Sequence, residues 1–151
     1  MLHDDLGIRL GLAYAAFVDW LDAEMATAGF DDLGATYGYM FRALAGGPAT
    51  LSTLARGLHM TTQGAAKILG EMEAKGYVRR SPHPDDARAR LIELADRGRL
   101  ALATARGLHD RFERELAERV GGRDALALRR NLDAVLAMGS VDPASRLLRP
   151  I

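Results

Sequence analysis

Residues 51–94 read LSTLARGLHMTTQGAAKILGEMEAKGYVRRSPHPDDARARLIEL, and this stretch decides the fold. Leu51, Leu54, Ala55 and Leu58 fall on one face of a short helix that Thr50 or Ser52 can cap. Thr61 can cap a second helix running to about Lys75, with Ala65, Ile68, Leu69 and Met72 inward. Gly76 then stands where a helix C-terminal glycine belongs. Beyond it the period shortens: Tyr77 to Ser81 predicts a strand, and Arg90 to Leu94 alternates like its partner. The loop between, Pro82 to Arg88, is stiffened by two prolines and is too long for a two-residue turn. A lone hairpin is marginal in water, so this one must lean on the helices before it.

Working outward, helical periodicity dominates. Leu6, Leu10, Ala13, Phe17, Leu21 and Met25 recur every three or four residues and predict a helix over about 4–25. Tyr14, Val18 and Trp20 widen its apolar stripe, so more than one side should be buried. Gly29 and Asp31-Asp32 end that helix. A second is predicted from about Gly34 to Ala45, with Tyr37, Met40, Phe41 and Leu44 inward, and Gly46-Gly47-Pro48 stops it. After the hairpin, Leu100, Ala103, Leu108, Phe112, Leu116 and Val120 mark a long helix ended by Gly121-Gly122. Leu126, Leu132, Val135, Leu136 and Met138 mark a final one. Gly139-Ser140 opens a tail in which Leu147, Leu148 and Ile151 are too apolar for an idle terminus. The expectation is a mainly α chain with one small β-hairpin, residues 1–151 forming a single domain.

Composition removes whole classes of function. The 151 residues include no cysteine, which excludes disulfides, thiolate metal sites, cysteine nucleophiles and thiol redox sensing. No apolar run reaches the roughly 20 residues that span a bilayer, so the expected compartment is the cytoplasm, with no membrane partner. No phosphate-binding glycine loop or GxSxG turn appears. His3, His59, His83 and His109 lack metal-ligand spacing, and Asp4-Asp5, Asp31-Asp32 and Asp85-Asp86 suit helix ends and loops better than acid–base chemistry. Neither an enzyme, a metal site nor a cofactor is expected. The 20 basic and 20 acidic residues cancel, yet unevenly: residues 1–50 carry −5, residues 51–100 carry +3 and residues 101–151 carry +2. The positive middle third is where an anion-binding face would lie.

Two short helices joined by a tight turn match a helix–turn–helix, whose second helix enters the DNA major groove. Its exposed early positions would be Thr62, Gln63, Gly64, Ala66 and Lys67. Gln63 has the amide for paired hydrogen bonds to adenine, and Lys67 can meet guanine or a phosphate. On that helix alone, a plain solvated surface is the simpler reading. The hairpin changes the balance, because a loop projecting beyond a helix–turn–helix is a wing, and Arg88 near its tip can enter a narrow minor groove. Asp86 belongs beside DNA only if it pairs with Arg88 and directs its guanidinium.

These residues resemble the winged helix–turn–helix of MarR-type (multiple antibiotic resistance) transcriptional regulators. The resemblance is carried by Leu51–Arg56, Met60-Thr61 to Ile68, Met72–Arg80, the Asp-x-Arg pattern at Asp86 and Arg88, and Leu94 with Gly98 where the family reads Leu-Thr-x-x-Gly. It implies a homodimer, with residues 1–30 and 96–151 as dimerisation helices and residues 33–95 as the winged domain, its wing at 77–94. It implies a regulator, usually a repressor, that binds an inverted-repeat operator in double-stranded DNA and is released by a small molecule. The implied DNA contacts are Thr61, Thr62, Gln63, Lys67, Arg79, Arg80 and Arg88, with Asp86 orienting Arg88.

The chain departs from the family pattern at Ala95, which replaces a frequent capping Thr, and at His59 in the turn. Glu71 and Glu73 also reduce the positive charge of the second short helix. The family's ligand region would draw on Tyr14, Phe17, Trp20, Tyr37, Tyr39, Met40, Phe41, His109 and Phe112, a set suited to a flat aromatic or hydrophobic effector. Arg42 could clamp a carboxylate. Plain core packing is the commoner role for such a cluster. Two other classes remain open on the residues: a winged protein-interaction module that binds little or no DNA, and a small helical enzyme using His109 or His3 as a base.

Overall fold

The computed structural model describes residues 5–139. Helix α1 (Leu6–Thr27) and α2 (Tyr37–Leu44) precede β1 (Ala49–Thr50), α3 (Leu51–Gly57) and α4 (Thr62–Ala74). Strands β2 (Val78–Pro82) and β3 (Arg90–Leu94) follow, then α5 (Asp96–Val120) and α6 (Gly122–Met138). The apolar tail around Leu147, Leu148 and Ile151, like His3, lies outside the described residues.

The helix ends follow the local chemistry. Asp5 caps α1 through its carboxylate on the Gly7 amide, Thr50 caps α3 through Thr53, and Thr61 caps α4 through Gly64. Each side chain satisfies one amide that the first turn leaves unpaired. Ala95 does sit at the N-cap of α5 without a side-chain cap. His59 takes φ +50°, a left-handed position that a glycine would fill without a Cβ clash. The turn there is nevertheless closed by main-chain bonds, with Met60 donating to the Ala55 carbonyl at 2.8 Å.

The hairpin gains a third strand that the sequence reading did not expect. The sheet order is β1-β3-β2, antiparallel throughout, with Ala49 opposite Ile92 and Val78 opposite Leu94. A two-residue strand after Gly-Gly-Pro has no periodicity to reveal it; pairing alone creates it. Strand β2 begins at Val78, one residue later than predicted. Tyr77 is instead a fully buried core residue whose carbonyl accepts from the Ala95 amide. Helix α2 likewise begins at Tyr37 rather than Gly34.

One core unites Met25, Phe30, Tyr37, Met40, Phe41, Leu44, Leu54, Ala55, Leu69, Met72, Tyr77, Val78, Ile92, Leu94 and Ala101. It lies under the winged segment and the first turns of α5. The expected burial of several sides of α1 does not occur among the described residues: Met25 is the helix's one fully buried residue, and Leu6 and Leu12 are exposed. None of α6 is buried, and Leu126, Leu128, Leu132, Val135, Leu136 and Met138 face outward. Apolar periodicity identifies a face to be covered, but not whether this chain covers it.

Candidate nucleic-acid interface

Helix α4 packs Ala65, Leu69 and Met72 into the core, which turns the opposite side of the same helix outward. Thr62, Gln63 and Lys67 are exposed there. Thr61 is exposed too, but its hydroxyl oxygen accepts from the Gly64 amide at 3.0 Å, so the cap occupies its acceptor side. A Cβ at Gly64 would stand 3.0 Å from that oxygen, so a larger residue would crowd the cap.

The wing is held by its own short-range bonds. Asp86 accepts from the Arg88 main-chain amide at 2.9 Å, and its carbonyl accepts from Ala89 at 3.0 Å. The Asp86 carboxylate thus shapes the turn through the Arg88 main chain. A two-residue separation brings a short carboxylate naturally to the main-chain amide. His83 Nδ1 accepts from the Asp85 amide at 3.1 Å, fixing the other side of the loop. Arg88 is exposed, and among the described residues no carboxylate pairs with it. By contrast Arg79 meets Glu93 at 2.6 Å and Arg80 meets Glu73 at 3.0 Å. Both pairs are solvent-accessible and therefore weak, and the +3 of residues 51–100 already counts both carboxylates.

The proposed effector region divides into two. Tyr37, Met40 and Phe41 are core, with Tyr37 and Phe41 packed edge-on against Tyr77 at 5.9 and 5.5 Å between ring centres. Helix α2 turns this apolar face toward α3, β3 and α5. Phe17, Trp20, His109 and Phe112 form a second, half-buried cluster between α1 and α5, with Phe17 4.8 Å from Phe112 and 5.2 Å from His109. Tyr14 stays exposed. A separate open groove of about 620 Å3 runs between α5 and α6, lined by Leu116, Leu126, Leu132 and Leu136.

His109 is held below its ordinary value of 6.5, first by burial and then by Arg42, while Glu113 and Asp110 pull the other way. The folded chain therefore keeps the imidazole neutral at a pH where the unfolded chain already takes up a proton. This contribution to stability is intact above pH 6.5, declines as pH falls below it, and levels off once the folded imidazole is protonated. His109→Gln should remove that decline, as melting temperatures from pH 7.5 down to about 5 would show. An unchanged slope between the two proteins would reject the assignment.

Sequence reasoning missed one cluster altogether. Arg97, in the first turn of α5, grips Asp32 through both guanidinium nitrogens at 3.1 Å and donates to the Lys75 carbonyl at 2.6 Å. Its guanidinium carbon lies 4.4 Å from the Tyr77 ring centre, and the Tyr77 hydroxyl donates to Asp32. Lys75 donates to the Asp32 carbonyl at 2.7 Å. The hydrogen bond from Tyr77, then the two bonds and charge of Arg97, outweigh burial and hold the Asp32 carboxyl below its ordinary value. One signal existed: a cation in the first turn of a helix opposes the helix dipole, so Arg97 needed a partner elsewhere.

Among the described residues, no helix is long and apolar enough to cross a membrane, and no cluster of His, Asp and Glu could hold a metal ion. A capped helix–turn–helix followed by a three-stranded sheet with its hairpin wing defines a winged-helix head. Residues 31–89 match the model of the MarR family. That matched stretch, from the loop before α2 to the wing, is what the chain has in common with the MarR family.

Among solved structures, RV1404 from Mycobacterium tuberculosis superposes with TM-score 0.78 at 20% identity, covering 91% of this chain and 97% of that one. FabT from Streptococcus pneumoniae, in complex with DNA, gives TM-score 0.68 at 19% identity, covering 89% and 96%. A mutant of MarR from E. coli, complexed with operator DNA, gives 0.66 at 18% identity, covering 90% and 98%. At such identities these likenesses concern the fold. None of the curated proteins matches the chain.

Proposed function

We propose that this protein is a homodimeric, sequence-specific DNA-binding regulator, a repressor released by a small aromatic or hydrophobic molecule. The observation that carries the reading is the capped α4 with Thr62, Gln63 and Lys67 exposed, followed by a wing on which Arg88 is exposed. The structures of FabT and MarR with DNA support it by fold. In this reading Gln63 and Lys67 approach bases and phosphates in the major groove, and Arg88 enters the minor groove. Residues 33–95 are the reading domain, and the flanking helices are the dimerisation region. The exposed apolar faces of α1 and α6 support that assignment, since surfaces of this kind require a partner. The half-buried Phe17, Trp20, His109 and Phe112 are the residues offered to an effector.

The test is selection from a randomised duplex pool at physiological salt. Enrichment of an inverted repeat with half-sites about one helical turn apart is the expected result. Light scattering should give twice the 16.3 kDa chain mass; a monomer at micromolar concentration contradicts the dimer. Lys67→Ala should weaken binding across sequences and lower the salt slope by about 1 if it meets a phosphate. A slope equal to that of the wild type would place Lys67 elsewhere.

The carboxylate pairing of Arg79 and Arg80, with zero net charge overall, favours one other reading, a winged protein-interaction module. Association with a protein that ignores salt, together with no DNA enrichment, would select it.

A further inference from the structure

Asp32 belongs to the loop that leads from α1 into the winged head, and Lys75 and Tyr77 join α4 to the wing. Arg97 stands where the chain leaves the head for α5. Their hydrogen bonds tie the way in, the way out and the end of the recognition helix to one another. The Asp32 and Arg97 side chains are 33% and 37% exposed, and ion pairs so accessible add little to stability. What the arrangement does supply is direction. A guanidinium held by two carboxylate bonds, one carbonyl and one aromatic face cannot rotate without losing all four.

Resting on the proposed DNA-binding dimer, we infer that Arg97 is a positioning residue: clamped on Asp32 and Tyr77, it fixes the angle of the winged head on α5 and thereby the spacing of half-sites the dimer accepts. The lever is long. Helix α4 has 13 residues, about 20 Å from the clamp to its reading end. A head rotation of about 5–10° would carry Gln63 by about 2–3 Å, far more than a hydrogen bond to a base edge tolerates. Losing the clamp should therefore blur spacing without removing the wing or the recognition helix.

The absence of cysteine makes the geometry measurable. Spin labels at Glu71→Cys on α4 and Arg114→Cys on α5, both exposed positions, report the head angle within one chain. Labelled protein is diluted about tenfold into unlabelled protein to suppress pairs between chains. The wild-type background should give one narrow distance, and Arg97→Gln or Asp32→Asn a distribution about twice as wide. An unchanged width in both variants would overturn the clamp.

On DNA, affinities are measured for the selected repeat with its spacer lengthened or shortened by one base pair. Arg97→Gln should lose about tenfold at the preferred spacing and little at the others, flattening the profile. A uniform loss at every spacing, as a merely structural defect gives, would also overturn it. A wild-type chain that selects no DNA would remove the proposed function, while the label distances would still decide the clamp.

Discussion

Arg88→Ala is expected to weaken binding to the selected DNA by about tenfold to a hundredfold while leaving the melting temperature unchanged. The side chain lies at the wing tip, is exposed, and has no carboxylate partner among the described residues, so its removal costs the folded chain almost nothing. The whole effect should fall on the complex, where a guanidinium in a narrow minor groove meets the most negative potential on the duplex. Competition binding against a non-specific duplex separates the two contributions. Arg88→Lys should recover part of the affinity but little of the preference for a narrow groove, since the ammonium is the more strongly hydrated cation. Unchanged affinity in Arg88→Ala would reject the wing's role. The Asp86 geometry adds a contrast: because Asp86 holds the Arg88 amide and not its guanidinium, Asp86→Asn, which keeps an acceptor, should be the milder change.

Gly98→Ala is expected to destabilise the fold by about 2–3 kcal/mol, against the usual rule that alanine favours a helix. A Cβ at this position would stand 2.1 Å from the Tyr77 carbonyl oxygen and 3.1 Å from its carbon. Those are main-chain atoms, and that oxygen already accepts from Ala95, so the first turn of α5 must move and the bond must stretch. The gain in helix propensity, about 1 kcal/mol, does not offset the shift. Gly107→Ala, on the same helix with nothing within 4 Å of the added carbon, is the control. It should stabilise by up to about 1 kcal/mol. Thermal or urea unfolding of both variants decides, and equal behaviour would show that α5 yields at no cost.

The head was legible because its signals are local. Thr50 and Thr61 cap as their positions implied, and Gly76 takes φ +77° as a helix C-terminal glycine should. The alternation in Arg90–Leu94 also gave a strand with the expected bounds. These features depend on residues within a few positions of one another. The resemblance to a known family rested on the same local run.

The effector region was read less well. Nine aromatic, methionine and histidine side chains looked like one set, because sequence shows which faces are apolar and not how they divide. Tyr37, Met40 and Phe41 went to the core, whereas Phe17, Trp20, His109 and Phe112 formed a separate half-buried group. Asp31-Asp32 read as a solvated loop pair, since nothing nearby in the chain announces Tyr77 or Arg97, 45 and 65 residues away.

The sequence by itself determined the order of the helices, the caps at Thr50 and Thr61 and the hairpin through short-range backbone and side-chain preferences, and the absence of cysteine chemistry through composition. Only the tertiary structure decided the third strand, the division of the aromatic residues, the close approach at Gly98 and the Asp32–Tyr77–Arg97 clamp. Among the described residues it also left the apolar faces of α1 and α6 exposed. All of these depend on which distant surfaces meet, and periodicity along a chain carries no information about the surface on the other side.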